Sequence, residues 1–234
     1  MNSTKNPGSK NKIDAMFSVG AHFGYIKSRR HPTTAPFIFG RKNNVEIFDL
    51  EKTAKQLEDV KAYIAGIAKT GGRILFVGGK REAQAAIKEA AEKIDMPYVA
   101  GRWIGGTLTN FTEIRKRIDH YTKLLSQKEK GELIKYKKKE RLLIDREIAK
   151  LEERFSGIVS MDKKPAALFI IDADKEHIAR EEALQTGVPI ISLANTDCDY
   201  SKIDHVIPGN DSSVDSIKFF LNEVVESYKS GKTA

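Results

Sequence analysis

The chain has 234 residues, 40% of them hydrophobic, enough to bury a substantial core in one domain with an appendage or in two small domains. Its 40 Lys and Arg outnumber 32 Asp and Glu, giving a net charge of +8 and a pI of about 9.3, which favours a polyanionic partner. The longest apolar runs, such as 166–171 and 188–193, fall far short of the roughly 18–20 residues a bilayer crossing needs. The polar start MNSTKNPGSKNK lacks an apolar signal region, and the single Cys198 excludes an intramolecular disulfide and a thiolate metal cluster. A cytoplasmic protein with a flexible arm over residues 1–10 and no membrane contact is expected.

In chain order, the first informative segment is basic. Between Asp14 and Glu46 there is no acidic residue, whereas Lys27, Arg29, Arg30, Arg41 and Lys42 lie there, interleaved with Tyr25, Phe37 and Phe39. From Val45 onward short β-type runs alternate with amphipathic helical ones. NNVEIFDL predicts a strand, and EKTAKQLEDVKAYIAGIAKT places Leu57, Val60, Ile64 and Ile67 at helical spacing before a stop at Gly71 and Gly72. RILFVGG predicts a buried strand, KREAQAAIKEAAEKI a helix and MPYVAG a short strand. After residue 160, AALFIID, VPIISLAN and HVIPG read as strands, and KEHIAREEALQTG and SSVDSIKFFLNEVVESYK as helices. Such alternation specifies βαβ crossovers, hence an α/β fold with a parallel sheet covered by helices on both faces.

Residues 111–155 break that rhythm. Phe111, Ile114, Ile118, Tyr121 and Leu125, and then Ile144, Ile148, Leu151 and Phe155, step by three and four, which is heptad spacing interrupted near Gly131. Two antiparallel helices are predicted, an inserted coiled-coil hairpin leaving a discontinuous body of residues 1–110 and 156–234. From Glu113 to Arg154 there are 14 Lys and Arg against 9 Asp and Glu, an excess of +5. Exposed arms commonly carry both charges for solubility, so this excess supports a polyanion without deciding for one.

Catalytic patterns are weak. LFVGGKREA has the outline of a phosphate loop, but Ile74 stands where its first glycine belongs and Arg81 follows Lys80 where a hydroxyl would hold a metal. Gly78 and Gly79 then read as a tight strand-to-helix turn, with Lys80 and Arg81 solvated at its end. No G-x-G-x-x-G, G-x-S-x-G, H-E-x-x-H or C-x-x-C occurs. NTDCDYSKIDH gathers Asp197, Asp199, Asp204 and His205 after a strand, a candidate divalent-ion site whose stronger reading is an ordinary Asx-rich loop. Asp174 is expected to cap the helix that follows it. In AGRWIGGTLTNF, Trp103 is expected to anchor the loop on the sheet, Thr109 or Asn110 to cap the first arm helix, and Arg102 to face outward.

GAHFGY, PFIFGRKNNVEIFDLEKT, GRWIGGTLTNF, ALFIIDADKEHIAREEA and IDHVIPGND, in this order from about residue 10 to 228, resemble the universal second family of bacterial small-subunit ribosomal proteins. The resemblance implies a three-layer α/β/α body of flavodoxin-like shape with a projecting hairpin and no enzymatic activity or small-molecule substrate. It further implies binding to 16S rRNA at the head–body junction on the solvent side, beside other subunit proteins, and help in anchoring ribosomal protein one near the mRNA exit. The sequence departs from the family pattern at Tyr25, in SRRHPTTAP, at Ala100 and Gly101, and at Asn195, Asp197 and Tyr200. Expected RNA contacts are Lys27, Arg29, Arg30, Arg41, Lys42, Arg102, Arg115, Lys116, Lys137 and Lys138; no cofactor is expected. A small-molecule enzyme on the same fold and a scaffold whose hairpin grips a protein are the competing readings.

Overall fold

The computed structural model describes residues 7–233. Three strands, β1 (Phe23–Ile26), β2 (Ile38–Lys42) and β3 (Val45–Phe48), lie near the N-terminus, and five follow: β4 (Ile74–Val77), β5 (Tyr98–Val99), β6 (Ala167–Ile171), β7 (Ile190–Ala194) and β8 (His205–Pro208). The last five are the body's strands. They form one parallel sheet in the order β5-β4-β6-β7-β8, with Leu75 opposite Leu168, Leu168 opposite Ile190 and Ile191 opposite His205. Counting only these strands the order is 2-1-3-4-5, that of doubly wound flavodoxin-like sheets. Every residue of β4, β6 and β7 is buried, which explains why they read as unbroken apolar runs.

Alternation along these strands divides the interior in two. Ile74, Phe76, Phe169 and Ile191 face a core built with α2 (Leu50–Lys69), α3 (Arg81–Glu92) and α7 (Val214–Thr233). Leu75, Val77, Leu168 and Ile170 face a second core that takes in α6 (His177–Thr186), Trp103, Leu108 and the roots of α4 (Phe111–Glu129) and α5 (Lys138–Phe155). α2 begins where Asp49 Oδ1 accepts the amides of Glu51 at 3.1 Å and Lys52 at 3.5 Å, and it stops at Gly71, whose φ of 67° suits glycine.

The parallel pattern fails at the N-terminus. The strand expected in NNVEIFDL exists as β3 (Val45–Phe48), but it lies at the centre of a separate antiparallel sheet between β1 (Phe23–Ile26) and β2 (Ile38–Lys42). The cause is Asn43 and Asn44, with φ of 49° and 65°, a two-residue turn that folds β2 back on β3. A flexible arm is expected over 1–10. Residues 1–6 lie outside the described residues, but α1 (Pro7–Ser18) already starts at residue 7.

α4 and α5 run beside one another, joined through a 3-10 turn over Glu132–Lys135 after the left-handed Gly131. Ile114, Ile118 and Phe155 belong to the second core, whereas Leu133 is the only buried residue described between 122 and 147. Tyr121 and Ile148 are buried, with Lys128 to Asp145 at 2.7 Å and His120 to Glu147 at 3.1 Å across the pair. The root is tight: a Cβ at Gly157 would collide with the Tyr98 carbonyl. Gly157→Ala is therefore expected to cost about 1–3 kcal/mol of stability in urea unfolding, since overpacking here must displace backbone.

Candidate nucleic-acid interface

The carboxyl ends of the parallel strands meet at a buried cation. Lys80, just past the Gly78–Gly79 pair that ends β4, is 7% exposed and its Nζ lies 2.6 Å from Asp172 Oδ2 and 2.9 Å from Asp211 Oδ2. Asp211 also accepts from Asn195 Nδ2 at 3.1 Å and Ser212 Oγ at 3.1 Å. The expected solvated Lys80 is thus wrong, although Arg81 is exposed as expected. Burial opposes the charge on Lys80, but the attraction of Asp211 and Asp172 outweighs it and holds the ammonium's pKa above its usual value. Asp172, at φ 64°, accepts the Lys175 amide at 3.0 Å, so it and not Asp174 braces the entry to α6; Asp174 is exposed.

Over this edge lies the basic segment. The His31 amide donates to the Thr196 carbonyl at 2.8 Å, the Tyr25 amide to Thr196 Oγ1 at 3.0 Å, and the Tyr200 amide to Thr33 Oγ1 at 3.0 Å. A Cβ on Gly24 would meet Thr196 Cγ2 at 2.6 Å, so glycine permits this approach. In doubly wound sheets the crevice beyond the strand ends is where small ligands bind. Here the chain's own residues 24–34 pack against it.

The predicted cations separate into two groups. Arg29 pairs with Asp197 at 2.9 Å and lies over the Tyr25 ring at 4.2 Å, and Arg30 reaches the buried Glu46 at 3.0 Å. Arg115 is likewise engaged, with Asp119, Asp162 and the Val159 and Met161 carbonyls. Lys116 is exposed beside Glu113 at 2.7 Å. By contrast, Lys27, Arg41, Lys42, Arg102, Lys137 and Lys138 are exposed and their side-chain cations form no ion pair with a carboxylate among the described residues, Lys137 meeting Glu140 only through its backbone amide at 2.9 Å.

The four expected metal donors are also dispersed. Asp197 holds Arg29, Asp199 Oδ1 accepts the amide of Ser201 at 3.0 Å, Asp204 Oδ2 accepts the Ile190 amide at 2.8 Å, and His205 stacks on Tyr63 at 3.9 Å. Among the described residues no three His, Cys, Asp or Glu side chains are arranged to hold an ion. Burial pushes the Cys198 thiol up to about 12, leaving it an inert core residue.

Sequence reasoning missed the residue that holds the Gly-Gly loop. Glu182, buried on α6, accepts from Trp103 Nε1 at 3.1 Å and Gly106 N at 2.7 Å through Oε1. Its Oε2 accepts from Leu108 N at 2.9 Å, Thr109 N at 3.2 Å and Thr109 Oγ1 at 3.2 Å. Burial alone would raise this carboxyl; hydrogen bonds from Leu108, Trp103, Gly106 and Thr109 prevail and hold it below its ordinary value. Trp103 is the expected anchor, 5% exposed. The expected cap is corrected: Thr109 turns to Glu182, and Asn110 stands at the N-cap without a side-chain capping bond.

The body is doubly wound, its crevice is covered by residues 24–34, and cations without ion-pair partners face outward. The family model described as ribosomal protein S2 matches residues 16–231. Proteins named small ribosomal subunit protein uS2 are similar over most of the chain. That of Desulfovibrio desulfuricans is 42% identical over 217 residues, 93% of this chain and 84% of that protein. That of Chloroherpeton thalassium is 43% identical over 216 residues, 92% and 86% respectively, and that of Tolumonas auensis 42% over 217, 93% and 90%. The chain belongs to the ribosomal protein S2 family, and is a structural constituent of the small ribosomal subunit, not an enzyme.

Two outcomes test these supports. Lys80→Ala leaves Asp172 and Asp211 without their cation and should cost about 3–5 kcal/mol in denaturant unfolding. Glu182→Gln should cost about 1–3 kcal/mol at neutral pH. Because the folded carboxyl titrates below 4.5, its contribution is present above that pH and lost as the pH falls beneath it. The stability gap between wild type and Glu182→Gln should therefore close in acid, with emission from Trp103, the sole tryptophan, reporting the loop.

Proposed function

We propose that this subunit protein binds 16S rRNA at the head–body junction on the solvent side. One observation carries the reading: the acid-free segment lies across the sheet's carboxyl edge, closing the place for a small ligand while leaving Lys27, Arg41 and Lys42 exposed and without carboxylate partners among the described residues. Arg102 adds a cation at the loop. The α4–α5 pair, read as a coiled-coil arm, adds Lys116, Lys137 and Lys138 along a helical face suited to following an RNA groove by shape and phosphate charge. Arg29, Arg30 and Arg115 act behind this surface, holding the segment and the arm root through their ion pairs. No cofactor or metal is needed for such contacts.

Anchoring of ribosomal protein one is favoured by a different patch. Phe17 is 62% and Phe39 79% exposed, and both border an apolar groove with Ile13, His22, Phe48 and Leu50. Aromatic side chains left in water in this way suit a protein partner more than phosphates.

Filter binding of 16S rRNA across a salt series tests the first reading: affinity should fall steeply with salt, and Lys27→Glu, Arg41→Glu and Lys42→Glu combined should flatten the log–log slope by about three. A wild-type chain indifferent to 16S rRNA at low salt would defeat it. Phe39→Asp should leave 16S rRNA binding unchanged while ribosomal protein one is lost from reconstituted subunits; retention of that protein would overturn the second reading.

A further inference from the structure

Between the body and the arm root lies a cleft of about 670 Å³, lined by Gln84, residues 100–105, Glu153 and Arg154. One wall is the loop that Glu182 fixes; the other is the last turn of α5. Arg102 and Arg154 come from the two walls, are both exposed, and have no carboxylate partner among the described residues. Gly101 and Gly105 leave open space where a side chain would stand, and neither has a positive φ. The backbone is therefore bare here without conformational need.

We propose that this cleft is the seat of one unstacked nucleotide of the small-subunit rRNA, a deeper reading that rests on the RNA-binding function above. Its volume falls in the range of about 300–1,000 Å³ that encloses a small ligand. A recess of this kind does not fit the convex backbone of a duplex, whereas a base splayed from a loop or bulge enters it. Guanidinium groups on both walls suit such a guest, since each is planar and either grips a phosphate with two hydrogen bonds or stacks on a base. Glu153 supplies an acceptor for an exocyclic amino group, and the bare glycine backbone lets the ring approach closely. Glu182 is the positioning residue, because it sets the wall that carries Arg102.

The test is filter binding of a 16S rRNA transcript to the full chain and to Arg102→Ala, Arg154→Ala, their double variant and Gly101→Val, with single-stranded oligocytidylate and a perfect RNA duplex as competitors. Each arginine variant should bind about tenfold more weakly, and the double variant should lose less than the product, as partners on one nucleotide do. Gly101→Val should bind as weakly with Trp103 emission and melting unchanged. Oligocytidylate should compete against wild type and fail against the double variant, while the duplex competes equally with both. Wild-type affinity in Arg154→Ala and Gly101→Val, with the wild-type chain itself bound to 16S rRNA, would remove the cleft proposal and leave the RNA-binding function standing. A wild-type chain that does not bind 16S rRNA would remove both.

Discussion

Lys80 stands where β4 ends, Asp172 where β6 ends and Asp211 just beyond β8, and the ammonium between them draws those ends together with Asn195 from the end of β7. A buried charge is costly unless it is paired and hydrogen-bonded, and each partner here would be stranded without the others. The neighbouring loops inherit their positions from this arrangement. Thr196 follows Asn195 and receives the basic segment; Ser212 follows Asp211 and meets the Tyr25 hydroxyl at 2.7 Å. The outer surface is thus built on an inner ionic joint.

Glu182 does for the loop after β5 what Lys80 does for the strand ends. One carboxylate collects the donors of a loop that has no regular structure, and a charge-assisted set of this size substitutes for the pairing a strand or helix would provide. The two groups divide the protein's charges by use. Cations with close carboxylates, such as Lys80, Arg30 and Arg115, shape the chain, whereas those at Lys27, Arg41, Lys42 and Arg102 face water.

The strands and helices of the body were legible because fully buried β4, β6 and β7 leave no polar interruption, and because Leu57, Val60, Ile64 and Ile67 repeat at helical spacing. The antiparallel sheet was misread since its strand β3 alternates like any half-buried strand; the Asn43–Asn44 turn was the signal that a hairpin preceded it. Lys80 carried no local mark of burial, because its partners are 92 and 131 residues away in sequence. Glu182 did carry one: it falls three residues after Ala179 and beside Ala183, on the apolar face of its helix, where an unpartnered carboxylate would be costly. Arg29, Arg30 and Arg115 were assigned by charge alone, and charge does not reveal which cations already have a partner.

The Tyr25–Thr196 hydrogen bond joins positions 171 residues apart. On a ribosome that synthesises the chain from its N-terminus, the basic segment emerges early but its seat does not exist until β7 and the loop after it have been made. Domains fold as units once their parts are available, and contacts of such long range form late. The polycation is thus made well before its seat and fixed in place only after it, so the completed surface comes into being only once β7 and the loop after it exist.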